Sequence, residues 1–65
     1  MKVKDIVRIT SESYIDIRSQ GIGIWFGNSK TINECKYLEC EVINVYVGNV
    51  EKNVICVEVG RVDYD

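Results

Sequence analysis

Apolar and polar residues alternate along four segments of this chain, and this two-residue period is the strongest constraint on its fold. Alternation places successive side chains on opposite faces of a strand, so each segment predicts a strand with one apolar face. Gly and Asn interrupt the segments and Pro is absent, a pattern typical of antiparallel hairpins. The four segments read "SESYIDIRS", "IGIWFG", "ECEVINVYVGN" and "VICVEVG".

The segments pair by position along the chain. The first two predict a hairpin closed near Gln20 and Gly21, and the last two predict a second hairpin closed by "GNVEKN". One face of the resulting sheet is expected to be apolar throughout and to form the core. Its predicted members are Ile15, Ile17, Ile22, Ile24, Phe26, Ile43, Val45, Val47, Ile55, Val57 and Val59.

The first segment, residues 2–10, favours a short helix. Val3, Ile6 and Val7 are spaced to share one helical face that packs on the sheet. The β-branched residues of "IVRI" leave a strand as the alternative.

A second short helix is predicted after the first hairpin. Thr31 and Glu34 match the capping box, with Ile32 and Cys35 on one side. The sequence therefore predicts an α+β two-layer domain, with a four-stranded antiparallel sheet and one or two short helices. A small all-β barrel is the alternative if residues 2–10 form a strand.

The opposite face of the predicted sheet carries aromatic residues among charged ones. Trp and Tyr are enriched where binding energy concentrates, because they bury a large area and keep a polar group. The candidate residues for binding a partner or ligand are Tyr14, Arg18, Trp25 and Tyr46, with Trp25 as the anchor. Around them this face is predicted to carry Asp16, Val42, Asn44, Val54, Cys56 and Glu58.

Composition argues against several classes of function. The 65 residues predict a single domain, 1–65, whose small core favours a homo-oligomer. No His is present, which excludes His-dependent nucleophilic catalysis and His-ligated metals. A net charge of -2 argues against binding a nucleic-acid polymer. We therefore expect no enzymatic activity and no cofactor.

The three cysteines predict a reducing compartment. Cys35, Cys40 and Cys56 are odd in number, and their spacing is a poor match to a zinc site. No secretory leader and no apolar run long enough to span a membrane is recognisable. We expect a cytoplasmic protein without a membrane partner.

The layout "VKDIVRI", "YIDIR" and "GIWFG", followed by "ECEVINVYV" and "NVICVEV", resembles small accessory proteins of phages and prophages in low-GC Gram-positive bacteria. The similarity extends over most of the chain but brings no catalytic residue. It implies a small protein of the host cytoplasm, and some such proteins block host defence by occluding an effector or by sequestering a nucleotide.

These observations favour a non-enzymatic binding module that inhibits a host defence factor by stoichiometric protein interaction. One alternative is an oligomer that holds a small anionic nucleotide at its subunit interfaces. Arg18 would then contact phosphate, while Tyr14 or Trp25 stacks on a base. A third hypothesis is that the protein is a purely structural component of an oligomer.

Overall fold

The computed structural model describes residues 1–10, 13–32 and 35–62. A short helix precedes four strands, and the strands form one sheet. The elements are α1 (Val3–Ile9), β1 (Tyr14–Ser19), β2 (Ile22–Asn28), β3 (Val42–Asn49) and β4 (Val54–Val59).

The first segment forms the predicted helix, α1. The Asp5 carboxylate accepts a hydrogen bond from the Lys2 backbone N–H at 2.9 Å and so satisfies a donor at the helix start. At the other end Thr10 is extended, and its hydroxyl donates to the Ile6 carbonyl at 2.9 Å. A helix this short is unstable alone, so the burial of Val3 and Ile6 against the sheet stabilises it.

Both predicted hairpins are confirmed. A two-residue turn joins β1 to β2, with positive φ at Gln20 (53°) and Gly21 (80°). Positive φ at both positions gives the backbone twist that suits a tight antiparallel hairpin. The turn between β3 and β4 ends at Asn53, which also has positive φ (56°).

The sheet is mixed rather than wholly antiparallel, which corrects part of the predicted fold class. The strand order is β2-β1-β4-β3, and the central strands β1 and β4 run parallel. Two parallel neighbours require a crossover connection, and the chain between β2 and β3 makes it. The sheet is open, with β2 and β3 at its edges among the described residues, so it is not a barrel.

The core lies on one side of the two central strands, called here the inner face. Ile15 and Ile17 of β1 and Val57 and Val59 of β4 are fully buried there. Each such side chain contributes about 2 kcal/mol through the apolar surface removed from water. Helix α1 and the β2–β3 connection cover these strands, and their buried apolar residues are Val3, Ile6, Ile32, Cys35 and Tyr37.

The second predicted helix falls partly on residues 33 and 34, which lie outside the described residues. Among the described ones, Ile32 is in 3₁₀ conformation and residues 36–39 form turns. The Cys35 N–H donates to the Ile32 carbonyl at 2.8 Å and the Cys40 N–H to the Tyr37 carbonyl at 3.1 Å. Glu34, the predicted capping partner, lies outside the described residues. The chain must cross the sheet here, and turns let it place Ile32 in the core while doing so.

A β-bulge in β2 reverses two predicted orientations. Ile17 pairs with Trp25, whereas the next residue of β1, Arg18, pairs with Gly23, so β2 holds one extra residue. An extra residue shifts the alternation by one position. Trp25 therefore lies on the inner face and packs against the core, and Phe26 lies on the opposite face with 61% of its surface exposed.

A bulge in β3 has a similar effect. Val42 pairs with Val59 and Asn44 with Glu58, leaving Ile43 as the extra residue. Val42 packs against the core instead of lying on the outer face, and Ile43 is exposed instead of buried. Both predicted orientations at the start of β3 are therefore wrong.

The inner face is poorly covered at the sheet edges. Val45 and Val47 pair with Val57 and Ile55 of β4 and so lie on the inner face, as predicted, yet they are 42% and 65% exposed. In β2, Ile24 is half-buried and Ile22 is exposed. The core is centred on β1 and β4, so apolar side chains of the edge strands extend beyond it.

A candidate binding face

The candidate site is the face of the sheet opposite the core, called here the outer face. Strand pairing aligns Phe26, Asp16, Cys56 and Tyr46 in a row across all four strands. The described cover of the sheet, α1 and the β2–β3 connection, contributes its buried residues to the other side. The outer face comprises Tyr14, Asp16, Arg18, Phe26, Asn44, Tyr46, Val54, Cys56 and Glu58.

Two stacked rings form its most apolar part. The rings of Tyr14 and Phe26 lie 5.7 Å apart between centroids and only 3° from parallel. Both residues remain exposed, Tyr14 by 43% and Phe26 by 61%. A rigid aromatic pair of this kind presents a large contact area with little conformational entropy to lose on binding.

An ion pair lies next to the rings. The Arg18 guanidinium contacts the Asp16 carboxylate at 3.3 Å and donates a second hydrogen bond to the Gly21 carbonyl at 2.9 Å. Both charged side chains are only partly exposed. The turn that closes the first hairpin therefore helps to fix the direction of Arg18.

Cys56 occupies the centre of the outer face and is buried by its neighbours. Its thiol donates a weak hydrogen bond to Asp16 Oδ2 at 3.8 Å. Burial, together with the negative charge of Asp16, raises the pKa of Cys56. The thiol is thus held in its protonated form, which is the opposite of what a nucleophilic cysteine needs.

Tyr46 lies beside Cys56 on β3 and is 42% exposed. Partial burial, followed by the influence of Cys56, raises the pKa of the Tyr46 phenol. The hydroxyl consequently stays protonated at neutral pH and is available as a hydrogen-bond donor and acceptor.

The structure brings together three of the four predicted site residues. Tyr14, Arg18 and Tyr46 share the outer face, whereas Trp25 lies on the inner face against the core. Sequence reasoning missed Phe26, which takes the place expected for Trp25. The glycines in and beside β2 could have indicated the bulge that exposes Phe26, since Gly inside a strand pattern often marks a bulge.

No group of three or more potential metal ligands occurs among the described residues, and these residues enclose no pocket. No helix in the described ranges has the length and apolar character to cross a bilayer. On the outer face, Tyr14, Phe26 and Tyr46 are 43%, 61% and 42% exposed, so their rings are accessible to another surface.

We find no match to this chain among protein-family models, curated proteins or solved structures.

Proposed function

We propose that this protein is a non-catalytic binding module that acts by stoichiometric contact with another protein through its outer face. The exposed Tyr14–Phe26 stack is the observation that carries the proposal. Aromatic side chains beside a fixed charge on an uncovered face have the composition of a protein contact site. Tyr46 extends the same surface across β4.

The charges of the outer face favour a protein over a nucleotide. Asp16 and Glu58 are acidic, and Arg18 is the only base among the residues that define this face. The Arg18 guanidinium is already bonded to Asp16 and to the Gly21 carbonyl. A phosphate would have to compete with the Asp16 carboxylate, so the nucleotide-holding alternative is less well supported.

The resemblance to small phage and prophage accessory proteins suggests the class of partner. We take it to be a protein of the bacterial host cytoplasm, with a defence factor as the first candidate. The partner should present an apolar patch with a basic residue near it, to match the aromatic stack and the acidic side chains.

Quantitative co-purification from a Gram-positive host lysate tests the proposal. The wild type is compared with Tyr14→Ser/Phe26→Ser, which removes the aromatic stack. The matched control, Ile9→Ser/Ile22→Ser, removes two apolar side chains that are 73% and 62% exposed but lie off the outer face. The captured candidate is then purified and titrated calorimetrically against all three proteins.

A partner that binds the wild type and the control in equimolar ratio, with affinity reduced at least about tenfold by the double substitution, supports the proposal. Equal binding by all three proteins contradicts it. A thermal shift with a nucleotide panel is run in parallel. A specific shift that is lost in Arg18→Gln would instead favour the nucleotide-holding alternative.

A further inference from the structure

The outer face carries one negative charge more than it can neutralise by itself. Asp16, Arg18 and Glu58 are the charged side chains among the residues that define it, so there are two acids and a single base. Cys56 and Tyr46, which lie among them, have raised pKa values and stay uncharged at neutral pH. The position of Arg18 decides which of the two acids is left unpaired.

Arg18 is directed away from Glu58, although the two residues are register partners on β1 and β4. Its guanidinium donates to the Asp16 carboxylate at 3.3 Å and to the Gly21 carbonyl at 2.9 Å. A Cβ atom at Gly23 would lie 3.6 Å from both Arg18 Nη1 and Asp16 Oδ1. Gly23 belongs to β2, which flanks β1 on the side away from β4, so the ion pair extends towards β2 and does not include Glu58.

The Glu58 carboxylate has no partner within the described part of the chain, where no residue forms an ion pair or a hydrogen bond with it. Asn44 lies opposite on β3, but its side-chain oxygen accepts the Val45 N–H at 3.0 Å. Glu58 is half-buried, so its neighbours already exclude part of the surrounding water. A carboxylate in such a place attracts a cation more strongly than a fully solvated one, because water screens it less.

An exposed aromatic ring lies beside this carboxylate. Tyr46, 42% exposed, is a diagonal neighbour of Glu58, two residues along β3 from the position that pairs with Glu58. Diagonal neighbours in a sheet lie within reach of aromatic and long side chains. Burial is the largest cause of the raised pKa of Tyr46, and the charge of Glu58 adds to it, so the two side chains interact electrostatically. An exposed ring next to an unpaired carboxylate suits a planar cation.

We propose that the partner inserts an arginine here, with its guanidinium on the Glu58 carboxylate and against the ring of Tyr46. The inference rests on the proposed function and assigns Glu58 as the residue that selects the partner. Arginine suits the site better than lysine, because its planar guanidinium can donate two parallel hydrogen bonds to a carboxylate while one face stacks on a ring. Arginine is also enriched where the binding energy of interfaces concentrates.

Glu58 also rejects partners that lack a cation at this place. A surface that covers Tyr46 covers Glu58 with it, and a carboxylate buried without a counter-charge is strongly unfavourable. Asp16 is less able to select in this way, because it already accepts hydrogen bonds from Arg18 and from the Cys56 thiol. Specificity then arises as much from rejection of uncharged surfaces as from attraction of a basic one.

Titration with a short peptide, followed by nuclear magnetic resonance, tests the pairing without the natural partner. The probe is acetyl-Leu-Arg-Leu-amide, and acetyl-Leu-Gln-Leu-amide is its uncharged counterpart. Each peptide is titrated into the wild type, Glu58→Gln and the control Glu51→Gln, whose charge lies in the exposed turn after β3. Shifts of the backbone amides at positions 46 and 58 give the dissociation constants.

We expect the arginine peptide to bind the wild type and Glu51→Gln alike, and Glu58→Gln to weaken its binding at least about threefold. Glutamine in the peptide should weaken binding to the wild type by a similar factor, with no further loss in Glu58→Gln, because both changes remove the same pair. Three results would each overturn the proposal: no saturable shift in the wild type, equal binding of the two peptides by the wild type, or equal losses in Glu51→Gln and Glu58→Gln.

The variants also separate this inference from the proposed function. A captured protein partner should lose affinity in Glu58→Gln as well as in Tyr14→Ser/Phe26→Ser. A loss confined to Tyr14→Ser/Phe26→Ser would support the proposed function and overturn the arginine contact. Peptide binding that Glu58→Gln weakens, with no protein partner captured, would contradict the proposed function and leave the arginine site standing.

Discussion

The indole ring of Trp25 lies directly over Gly27 on the inner face of β2. A Cβ atom at Gly27 would come within 2.6 Å of Trp25 Cη2 and 2.9 Å of Cζ2, closer than side-chain carbons approach one another. Gly27 pairs with the buried residue Ile15, so the ring also covers the core next to it. The absence of a side chain at Gly27 therefore permits the position that Trp25 adopts.

Gly27→Ala should displace this ring and destabilise the protein. Overpacking of this kind costs about 1–3 kcal/mol. Trp25 is the single tryptophan, so its fluorescence reports both the displacement and unfolding by urea. Gly60→Ala is the control, because a Cβ there meets nothing within 4 Å. Equal stability of the two variants would show that the ring can move without cost.

Trp25→Ala tests which face the tryptophan occupies. Because Trp25 packs against the core, we expect a loss of about 3 kcal/mol, the lower end for truncation of a large aromatic core residue. Phe26→Ala removes only an exposed ring and its stack, worth about 1 kcal/mol. Urea unfolding followed by circular dichroism compares them, and a larger loss in Phe26→Ala would contradict the assignment of faces.

Asp16→Asn should lower the pKa of Cys56. Burial remains the largest cause of the raised value, but the substitution removes the negative charge beside the thiol. Arg18, which already lowers this pKa, loses its carboxylate partner at the same time. The rate of Cys56 alkylation is measured at a series of pH values, and peptide mass mapping identifies the modified cysteine. In the variant this rate should begin to increase at a lower pH than in the wild type. If the pH profile of Cys56 alkylation is unchanged in Asp16→Asn, or moves to higher pH, the contact between Asp16 and Cys56 is contradicted.

Glu39 makes stability depend on pH. Hydrogen bonds from Lys4 and Lys2 hold the pKa of Glu39 below its ordinary value of 4.5. Because the folded-state pKa is the lower one, the ion pairs stabilise the fold above pH 4.5, and this contribution is lost as pH falls through the folded-state value.

Glu39→Gln should accordingly lower the melting temperature at pH 7, and the difference from wild type should vanish in acid. About 1 M salt should reduce it at pH 7, because both partners are solvent-exposed. Glu51→Gln serves as the control, since Glu51 lies in the exposed turn after β3. A difference that persists in acid would mean that Glu39 stabilises the fold by some other route.

Local pattern was a reliable guide wherever a strand lacks a bulge. In β1, Ile15 and Ile17 are buried, while Tyr14 and Arg18 lie on the other face, as the alternation predicts. In β4 too, the predicted faces are the observed ones. In α1, Val3 and Ile6 share the buried face of the helix, as their spacing predicts. In these elements each side chain's direction depends only on the local backbone repeat, so the sequence suffices.

The candidate site was predicted only in part, for a physical reason. Tyr14, Arg18 and Tyr46 occupy the outer face as their strand positions indicate. Trp25 and Phe26 exchange roles because the bulge in β2 exists only in its pairing with β1. A residue count along β2 alone cannot show which position its neighbour will skip.

By itself, the sequence determined the two hairpins and the faces of β1 and β4, which arise from local periodicity and turn chemistry, and it favoured a helix over a strand for residues 2–10. Only the tertiary structure decided the parallel pairing of β1 with β4, the bulges and the open edge of β3. Those features depend on contacts between residues far apart in the chain. The alternation of apolar residues permits several strand pairings equally well. The pairing that forms is the one that buries the central strands beneath α1 and the β2–β3 connection.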